Sequence, residues 1–228
     1  MARSQLLKDL VNGQETLENI LLRLKVILSD LDNELIMNWI QGELQGFDTK
    51  EDIPTYRIKK GVPVGTYFVN YSTKYTNAQV PLEALISQER IDQLTTMHIN
   101  DSINTLQEVI DKDGIGYGYA RVVPTALCHT ISTEELQIAG MSIKCPSNVL
   151  SKIVANVKSK LVDVIMELEK QYENLDDLDL KSQVEMDENK KEQVIFNIEN
   201  IIFDESIKMG DKNKVTGSRL GHWFGGRK

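Results

Sequence analysis

The feature that most constrains the fold is the stretch 33–57, where an apolar helical face ends at a glycine and is followed by a proline. Apolar side chains recur there at steps of three and four, which places them on one side of a helix. Gly46 is suited to end that helix, and Pro54 favours extended backbone before Tyr56 and Arg57. The segment is therefore predicted as helix, stop, loop and strand. Its apolar positions are Leu35, Ile36, Trp39, Ile40, Leu44 and Phe47.

An ordered set of residues runs through this stretch: Trp39, then Glu43-Leu44-x-Gly46-Phe47, then Pro54-x-Tyr56-Arg57. The set resembles the signature of the AbiTii-type domain, which is found in bacterial abortive-infection and anti-phage proteins. Residues 146–172 are also similar to the long closing helix of that domain, so the matches bracket about residues 4–173. The resemblance implies a structural or ligand-binding role for the motif residues and offers no catalytic residue. These residues are Trp39, Glu43, Gly46, Pro54, Tyr56 and Arg57.

The first 46 residues are predicted to be helical throughout. Ser4 can cap a short helix that ends at Asn12-Gly13. Leucines and isoleucines between positions 17 and 31 alternate steps of four and three, which predicts a second helix with a broad apolar face. Asp30 or Asp32 can cap the Trp39 helix, and the short connection predicts a helical hairpin.

Strand signals follow the hairpin. Residues 55–60 and 62–70 are rich in β-branched and aromatic residues and are separated at Gly61, which predicts a short β ribbon. Residues 71–79 are polar and are predicted as a loop. Residues 136–145 alternate like a strand but follow the capping-box pattern Ser132-Thr-Glu-Glu135, so both assignments stay open.

The longest helix is predicted over 146–172, because apolar positions alternate by four and three over about five turns. Residues 174–192 are acidic and lack a wide apolar face, so we expect a linker after a domain spanning 1–173. Residues 193–203 alternate with period two, which predicts a strand. Turn residues farther on extend this prediction to a small β-rich tail over 193–228.

Charge and cysteine content limit the function classes. A net charge of −8 disfavours a general nucleic-acid binder, because phosphates are repelled at long range, although it is compatible with a local basic patch. Cys128 and Cys145 are not in a paired spacing such as C-x-x-C, and we expect free thiols. Together with the expected lack of a leader peptide and of a long apolar run, this predicts a cytoplasmic protein. The predicted fold class is α+β, mainly helical, with an N-terminal helical hairpin, a short β ribbon, a long closing helix and the C-terminal tail.

Two interpretations of Arg57 stay open. In the first, which we favour, Arg57 forms an ion pair with Glu43 or a neighbouring helix end. In the second, its planar guanidinium binds a nucleotide or another anionic ligand together with a glycine-rich loop. That loop lacks the G-x-G-x-x-G spacing of a dinucleotide site. The candidate anion-binding residues are Arg57, Gly114, Gly116 and Gly118.

The histidines and cysteines show no catalytic or metal-binding pattern. His98, His129 and His222 are each solitary in the sequence. Cys128 lies next to His129, but adjacent side chains point apart on a helix or a strand. No metal ion or cofactor is expected, and a non-enzyme is favoured over an enzyme.

The leading hypothesis is a non-enzymatic scaffold of a bacterial abortive-infection defence system that associates with itself through its C-terminal β tail. The alternative is a nucleotide or anionic-ligand sensor of the same kind of system. Other expected partners are a second defence protein or a phage component, whereas a membrane is not expected. The candidate interface residues are Val194, Phe196, Ile198, Ile202, Trp223 and Phe224.

Overall fold

The chain forms an α+β fold in which helices predominate, as predicted. The computed structural model describes residues 3–112 and 118–203. Within these ranges the helices and two small antiparallel sheets share one hydrophobic core. Trp223 and Phe224 of the predicted tail lie outside the described residues.

The N-terminal part is helical, as expected. Ser4 caps the first helix by accepting a hydrogen bond from the Leu7 N–H, and Gly13 ends it with a φ of +67°. The predicted termini of this helix are therefore confirmed. The three N-terminal helices are α1 (Gln5–Asn12), α2 (Leu17–Ser29) and α3 (Glu34–Gln45).

The cap of α3 differs from the prediction. Asn33, rather than Asp30 or Asp32, accepts the capping hydrogen bond from the Ile36 N–H, at 2.9 Å. Asp30 instead accepts a hydrogen bond from the Leu180 N–H at 2.8 Å. Its carboxylate is committed to a distant part of the chain, which no local capping pattern can reveal.

In the described part of the chain, the strands form one four-stranded and one two-stranded sheet. In chain order they are β1 (Ile58–Lys60), β2 (Val62–Val69), β3 (Thr73–Gln79), β4 (Thr96–His98), β5 (Tyr119–Val123) and β6 (Leu136–Cys145). The larger sheet has the order β3-β2-β6-β5, and β1 pairs with β4.

Gly61 separates β1 from β2, as predicted, but the two strands pair with different partners. The segment 71–79, predicted as a loop, contains the edge strand β3, whose side chains are mostly exposed and so lack an apolar alternation. The assignment left open at 136–145 is resolved as the central strand β6.

The predicted long helix is confirmed as α7, which buries one side of its length in the core. Three shorter helices lie between α3 and α7 in the described residues. The four are α4 (Gln88–Thr95), α5 (Ile103–Lys112), α6 (Thr125–Ile131) and α7 (Ser147–Gln171).

The expected linker at 174–192 is folded onto the domain. A 3₁₀ turn at Leu175–Asp177 is followed by α8 (Lys181–Met186) and by the start of α9 (Glu188–Phe203). Leu175, Leu180 and Val184 are buried, although they are too few and too widely spaced to form an obvious apolar face in the sequence. The Asp176 carboxylate accepts hydrogen bonds from the Gln5 and Leu6 N–H groups at the start of α1.

The strand predicted over 193–203 is wrong, because these residues belong to α9. Val194, Ile198 and Ile202 follow one another at intervals of four, which is also a helical stripe, and all three are buried. The period-two pattern through Phe196 was the misleading alternative, since Phe196 lies on the exposed side of the helix. Helix α9 packs on α7 and α3.

Among the described residues, no helix combines the length and the apolar character that crossing a membrane requires.

Candidate functional site

Four of the motif residues meet in the interior. Trp39 and Glu43 lie one turn apart on the same side of α3. Tyr56 and Arg57 belong to a 3₁₀ turn, Thr55–Arg57, rather than to the predicted strand. A strand would have pointed the two side chains apart, whereas the turn brings both to Glu43. We call Trp39, Glu43, Tyr56 and Arg57 the motif cluster.

A chain of hydrogen bonds connects the motif cluster. The Trp39 indole N–H donates to the Tyr56 hydroxyl at 2.8 Å, and that hydroxyl donates to Glu43 Oε1 at 2.5 Å. Arg57 donates to both carboxylate oxygens, from Nε to Oε1 at 3.0 Å and from Nη2 to Oε2 at 2.5 Å. Charged and bidentate hydrogen bonds of this kind are the strongest in proteins. The ion pair with Glu43 that we favoured for Arg57 is therefore present.

The remaining contacts of Arg57 are also internal. Its Nη1 donates to the carbonyl oxygens of Ile99 and Asp101, at 3.2 and 2.7 Å. Its guanidinium carbon lies 5.1 Å from the centre of the Phe47 ring. Arg57 thus ties the segment 99–101 to α3 and to the 3₁₀ turn.

Burial and charge fix the protonation states in the motif cluster. Burial, together with the negative charge of Glu43 and the hydrogen bond to it, raises the pKa of Tyr56 well above its ordinary value. Burial opposes ionisation of Arg57, but the Glu43 carboxylate outweighs that effect and the pKa of the guanidinium is raised. Tyr56 therefore stays a neutral donor and Arg57 stays a cation.

The other two motif residues shape the backbone. Gly46 ends α3 at φ +99° and ψ 162°, a region open to glycine alone, and a Cβ there would lie 2.8 Å from the Asn100 oxygen. Pro54 precedes the 3₁₀ turn with φ −60° and accepts a hydrogen bond from the Arg57 N–H at 2.9 Å. Gly46 thus allows the segment 99–101 to approach the end of α3, and Pro54 precedes the turn that brings Arg57 to Glu43.

The motif cluster offers no surface to a ligand. Neither Glu43 nor Arg57 is exposed, and Trp39 and Tyr56 are buried with them. Arg57 therefore presents no donor to solvent for the anion-binding interpretation. Gly118 lies in the described part of the chain and is half-buried, whereas Gly114 and Gly116 lie outside it. The arrangement holds three chain segments together and shows no reactive group poised toward a substrate.

The predicted interface residues separate into two groups. Val194, Ile198 and Ile202 face the core, so these three are unavailable to a partner and that assignment is wrong. Phe196 lies on α9 with 48% of its surface exposed and remains a candidate.

The cysteines are buried and the histidines are dispersed along the chain. Cys128 and Cys145 are free, and burial raises the pKa of each thiol. His98 belongs to β4 and His129 to α6, while His222 lies outside the described residues. Across 3–112 and 118–203, no three His, Cys, Asp or Glu side chains are grouped to hold a metal ion.

The sequence did not reveal a groove on the outer face of the four-stranded sheet. Two adjoining depressions of about 660 and 510 Å³ share Ala139 and cross this face. The first is bordered by Phe68, His129 and Gln137, and the second by side chains from all four strands. We call the two depressions together the sheet groove. Assigning β3 and β6 from the sequence would have placed these residues on one face.

Comparison with known proteins identifies the family. No curated protein and no solved structure matches this chain. A family model described as AbiTii matches residues 4–194 of the 228-residue chain, beyond the predicted limit near residue 173 and into α9. The match includes every residue of the motif cluster and reaches the segment folded onto α7. The chain therefore belongs to the AbiTii family of abortive-infection defence proteins.

Proposed function

We propose that the chain is a non-enzymatic interaction module of an abortive-infection defence system and that it associates with itself. The observation that carries the scaffold part is the burial of the motif cluster. The residues that mark the family here bind one another and stabilise the fold. The surface that acts in defence then lies elsewhere on the domain.

The exposed face of α9 supports self-association. Phe196 and Phe203 are seven residues apart, so they lie on the same side of the helix, with 48% and 45% of their surfaces exposed. The opposite side of α9 is packed against the domain. Aromatic residues are enriched in protein interfaces, and Trp223 and Phe224 add two more in the segment after α9. A second copy is the occupant that we propose for this surface.

The test is the mass in solution of three full-length proteins. The wild type is expected to be an oligomer, and the double variant F196A/F203A a monomer with an unchanged melting temperature. Met186→Ala is the matched control, because Met186 is 83% exposed on the neighbouring helix α8 and is expected to change nothing. A monomeric wild type, or an oligomer unaffected by the double variant, would overturn self-association through α9.

A plaque assay connects this surface to defence. Cells that express the wild type are expected to form fewer phage plaques than cells with an empty vector. The F196A/F203A variant is expected to lose this protection at an equal protein level. Full protection by a monomeric variant would separate defence from self-association.

A further inference from the structure

The four-stranded sheet is a basic region of an acidic protein. Its strands contain Lys74, Arg121 and Lys144 and no acidic residue, whereas the whole chain has a net charge of −8. Two of these bases, Lys74 and Lys144, lie in register with outer-face residues of β2 and β5. Arg121 lies opposite the buried Ile143 and so belongs to the other face. A polyanion repelled by the rest of the molecule would meet the two lysines on the outer face.

An aromatic ring lies beside one of these lysines. Phe68 is half-buried, borders the sheet groove and lies opposite both Lys74 and Gln137 in the sheet register. The Lys74 Nζ lies 5.9 Å from the centre of the Phe68 ring. An aromatic ring next to a cation is the combination that stacks a nucleic-acid base and binds its phosphate.

Further aromatic rings lie at and near the hairpin between β2 and β3. Tyr71 lies at its tip with 67% of its surface exposed, and its φ of +56° is unusual for a bulky side chain. The neighbouring Tyr75 is also exposed and stacks on Tyr67, with ring centres 5.0 Å apart. The Tyr67–Tyr75 pair alternates in register with the Phe68–Lys74 pair, so these two rings lie on the other face of the sheet and take no part in the groove.

Glycine keeps the floor of the sheet groove open. A Cβ at Gly140 would meet no atom within 4 Å, and no positive φ requires glycine there. At Gly65 on the facing strand, by contrast, a Cβ would lie 2.1 Å from the Gly140 oxygen. Gly65 is thus needed for strand packing, whereas the missing side chain at Gly140 only deepens the groove. Hydroxyl and amide groups of Thr66, Thr76, Asn77 and Ser142 line it.

We propose that the sheet groove binds single-stranded nucleic acid, DNA or RNA, with Phe68 stacking on a base and Lys74 and Lys144 contacting phosphates. Lys144 also donates a hydrogen bond to Asn77 at 3.2 Å, which orients its ammonium group along the groove. The Glu134 carboxylate also borders the groove, so the phosphates are placed at Lys74 and Lys144. A polar groove with a ring and two cations fits this ligand better than it fits an apolar protein surface.

Addition of a partner strand at β3 is disfavoured by the same structure. The β2–β3 register shifts between Gly65 and Tyr67, and Asn77 has a φ of +51°. Irregular edges and lysines on an edge strand are features that block pairing with another chain. The ligand is therefore placed on the face of the sheet and not along its edge.

The test is fluorescence anisotropy of full-length protein with labelled oligothymidine and oligouridine of about 15 nucleotides, titrated over a range of salt concentrations. Binding is expected to weaken with salt, and stronger binding of one oligomer would identify DNA or RNA as the preferred form. F68L, which removes the ring, and G140V, which fills the groove, are each expected to weaken binding about tenfold. K74A is expected to reduce the slope of log K against log salt concentration by about one.

Three control variants distinguish the sheet groove from other basic surfaces of the protein. F68Y keeps a ring and K181A removes an exposed cation on α8, so both are expected to bind like the wild type. K208Q/K212Q/K214Q neutralises bases outside the described residues and is also expected to retain binding. Equal melting temperatures would establish that each variant is folded. Absence of binding to both oligomers at low salt, binding unchanged in F68L and G140V, or binding lost in the triple variant would overturn the proposal.

Discussion

The Arg57 Nη2 lies 2.5 Å from the Glu43 Oε2, and neither side chain is exposed to solvent. Removing one partner leaves a buried charge without compensation. We expect Glu43→Gln to lower the free energy of unfolding by about 3–5 kcal/mol. The exposed pair between Lys60 and Asp92 is the control, since Lys60→Ala is expected to change stability by less than about 1 kcal/mol. Urea denaturation measures both, and similar losses in the two variants would contradict the role of burial.

Two buried tyrosines give a matched pair of substitutions. Tyr56→Phe removes the hydroxyl that accepts from Trp39 and donates to Glu43, so we expect a loss of about 1–3 kcal/mol. The Tyr172 hydroxyl is buried and has no hydrogen-bond partner among the described residues. Tyr172→Phe is therefore expected to leave stability unchanged or to raise it. Thermal unfolding compares the two, and an equal loss in both would show that the ring environment, rather than hydrogen bonding, sets the effect.

Three glycines are expected to respond differently to alanine. Gly46→Ala meets both a forbidden backbone conformation and the Asn100 oxygen, so we expect a loss of about 3 kcal/mol or more. Gly13→Ala meets only the positive φ and is expected to lose about 1 kcal/mol. Gly140→Ala is expected to lose less, because open space surrounds its Cβ position. Denaturation midpoints that failed to follow this order would refute the role of backbone geometry.

Glu169 predicts a defined pH dependence. Burial alone would raise the pKa of this carboxyl, but hydrogen bonds from Arg3 and Ser4 outweigh burial and lower the pKa below the ordinary value of 4.5. Its stabilising contribution is therefore complete above pH 4.5 and is lost as the pH falls through the lower pKa of the folded state. We expect Glu169→Gln to cost about 1.5–3 kcal/mol at pH 7 and to make stability less dependent on pH below 4.5.

The control for Glu169 is Glu51→Gln, which alters an exposed carboxyl in the loop after α3. The unfolding free energy of this variant at pH 7 should match that of the wild type, because the Glu51 side chain is exposed. If Glu169→Gln keeps the full acid sensitivity of the wild type, another carboxyl is responsible.

The C-terminal boundary of the domain predicts which truncations fold. A chain that ends at Tyr172 loses Leu175, Leu180 and all of α9, and it uncovers one side of α7. We expect this chain to aggregate or to unfold at a much lower temperature. A chain that ends at Phe203 keeps these contacts and is expected to unfold cooperatively. Circular dichroism during heating distinguishes them, and a stable, cooperative chain ending at Tyr172 would contradict this boundary.

The sequence predicted well the elements whose apolar residues repeat with a helical period. The termini of α1 and the course of α7 followed from caps and from the spacing of leucine and valine. Strand β3 was not predicted, because this edge strand exposes most of its side chains and shows no apolar alternation. The segment 193–203 was predicted as a strand but is a helix, because its apolar residues fit a period of two and a period of four equally well.

The motif cluster was predictable only as a pair of residues. Proximity in the motif suggested the contact between Glu43 and Arg57, and the structure contains it. The hydroxyl of Tyr56 joined this contact because the backbone forms a 3₁₀ turn, whereas a strand would have directed it away. The carbonyl groups of Ile99 and Asp101 lie more than 40 residues along the chain and carry no side-chain signal. A sequence motif therefore cannot predict backbone acceptors of this kind, because any residue type supplies a carbonyl oxygen.

The anchoring of α1 has a consequence for synthesis of the protein. Its first N–H groups bind Asp176, and Ser4 binds Glu169, so the earliest helix receives its partners from residues made about 165–171 positions later. At usual translation rates that interval takes about 10 to 30 s. During this time the leucines of α1 and α2 lack the cover that α7 and the following turn provide. Translation that terminates before Asp176 therefore releases a chain with an unfinished core, which cellular proteases can degrade.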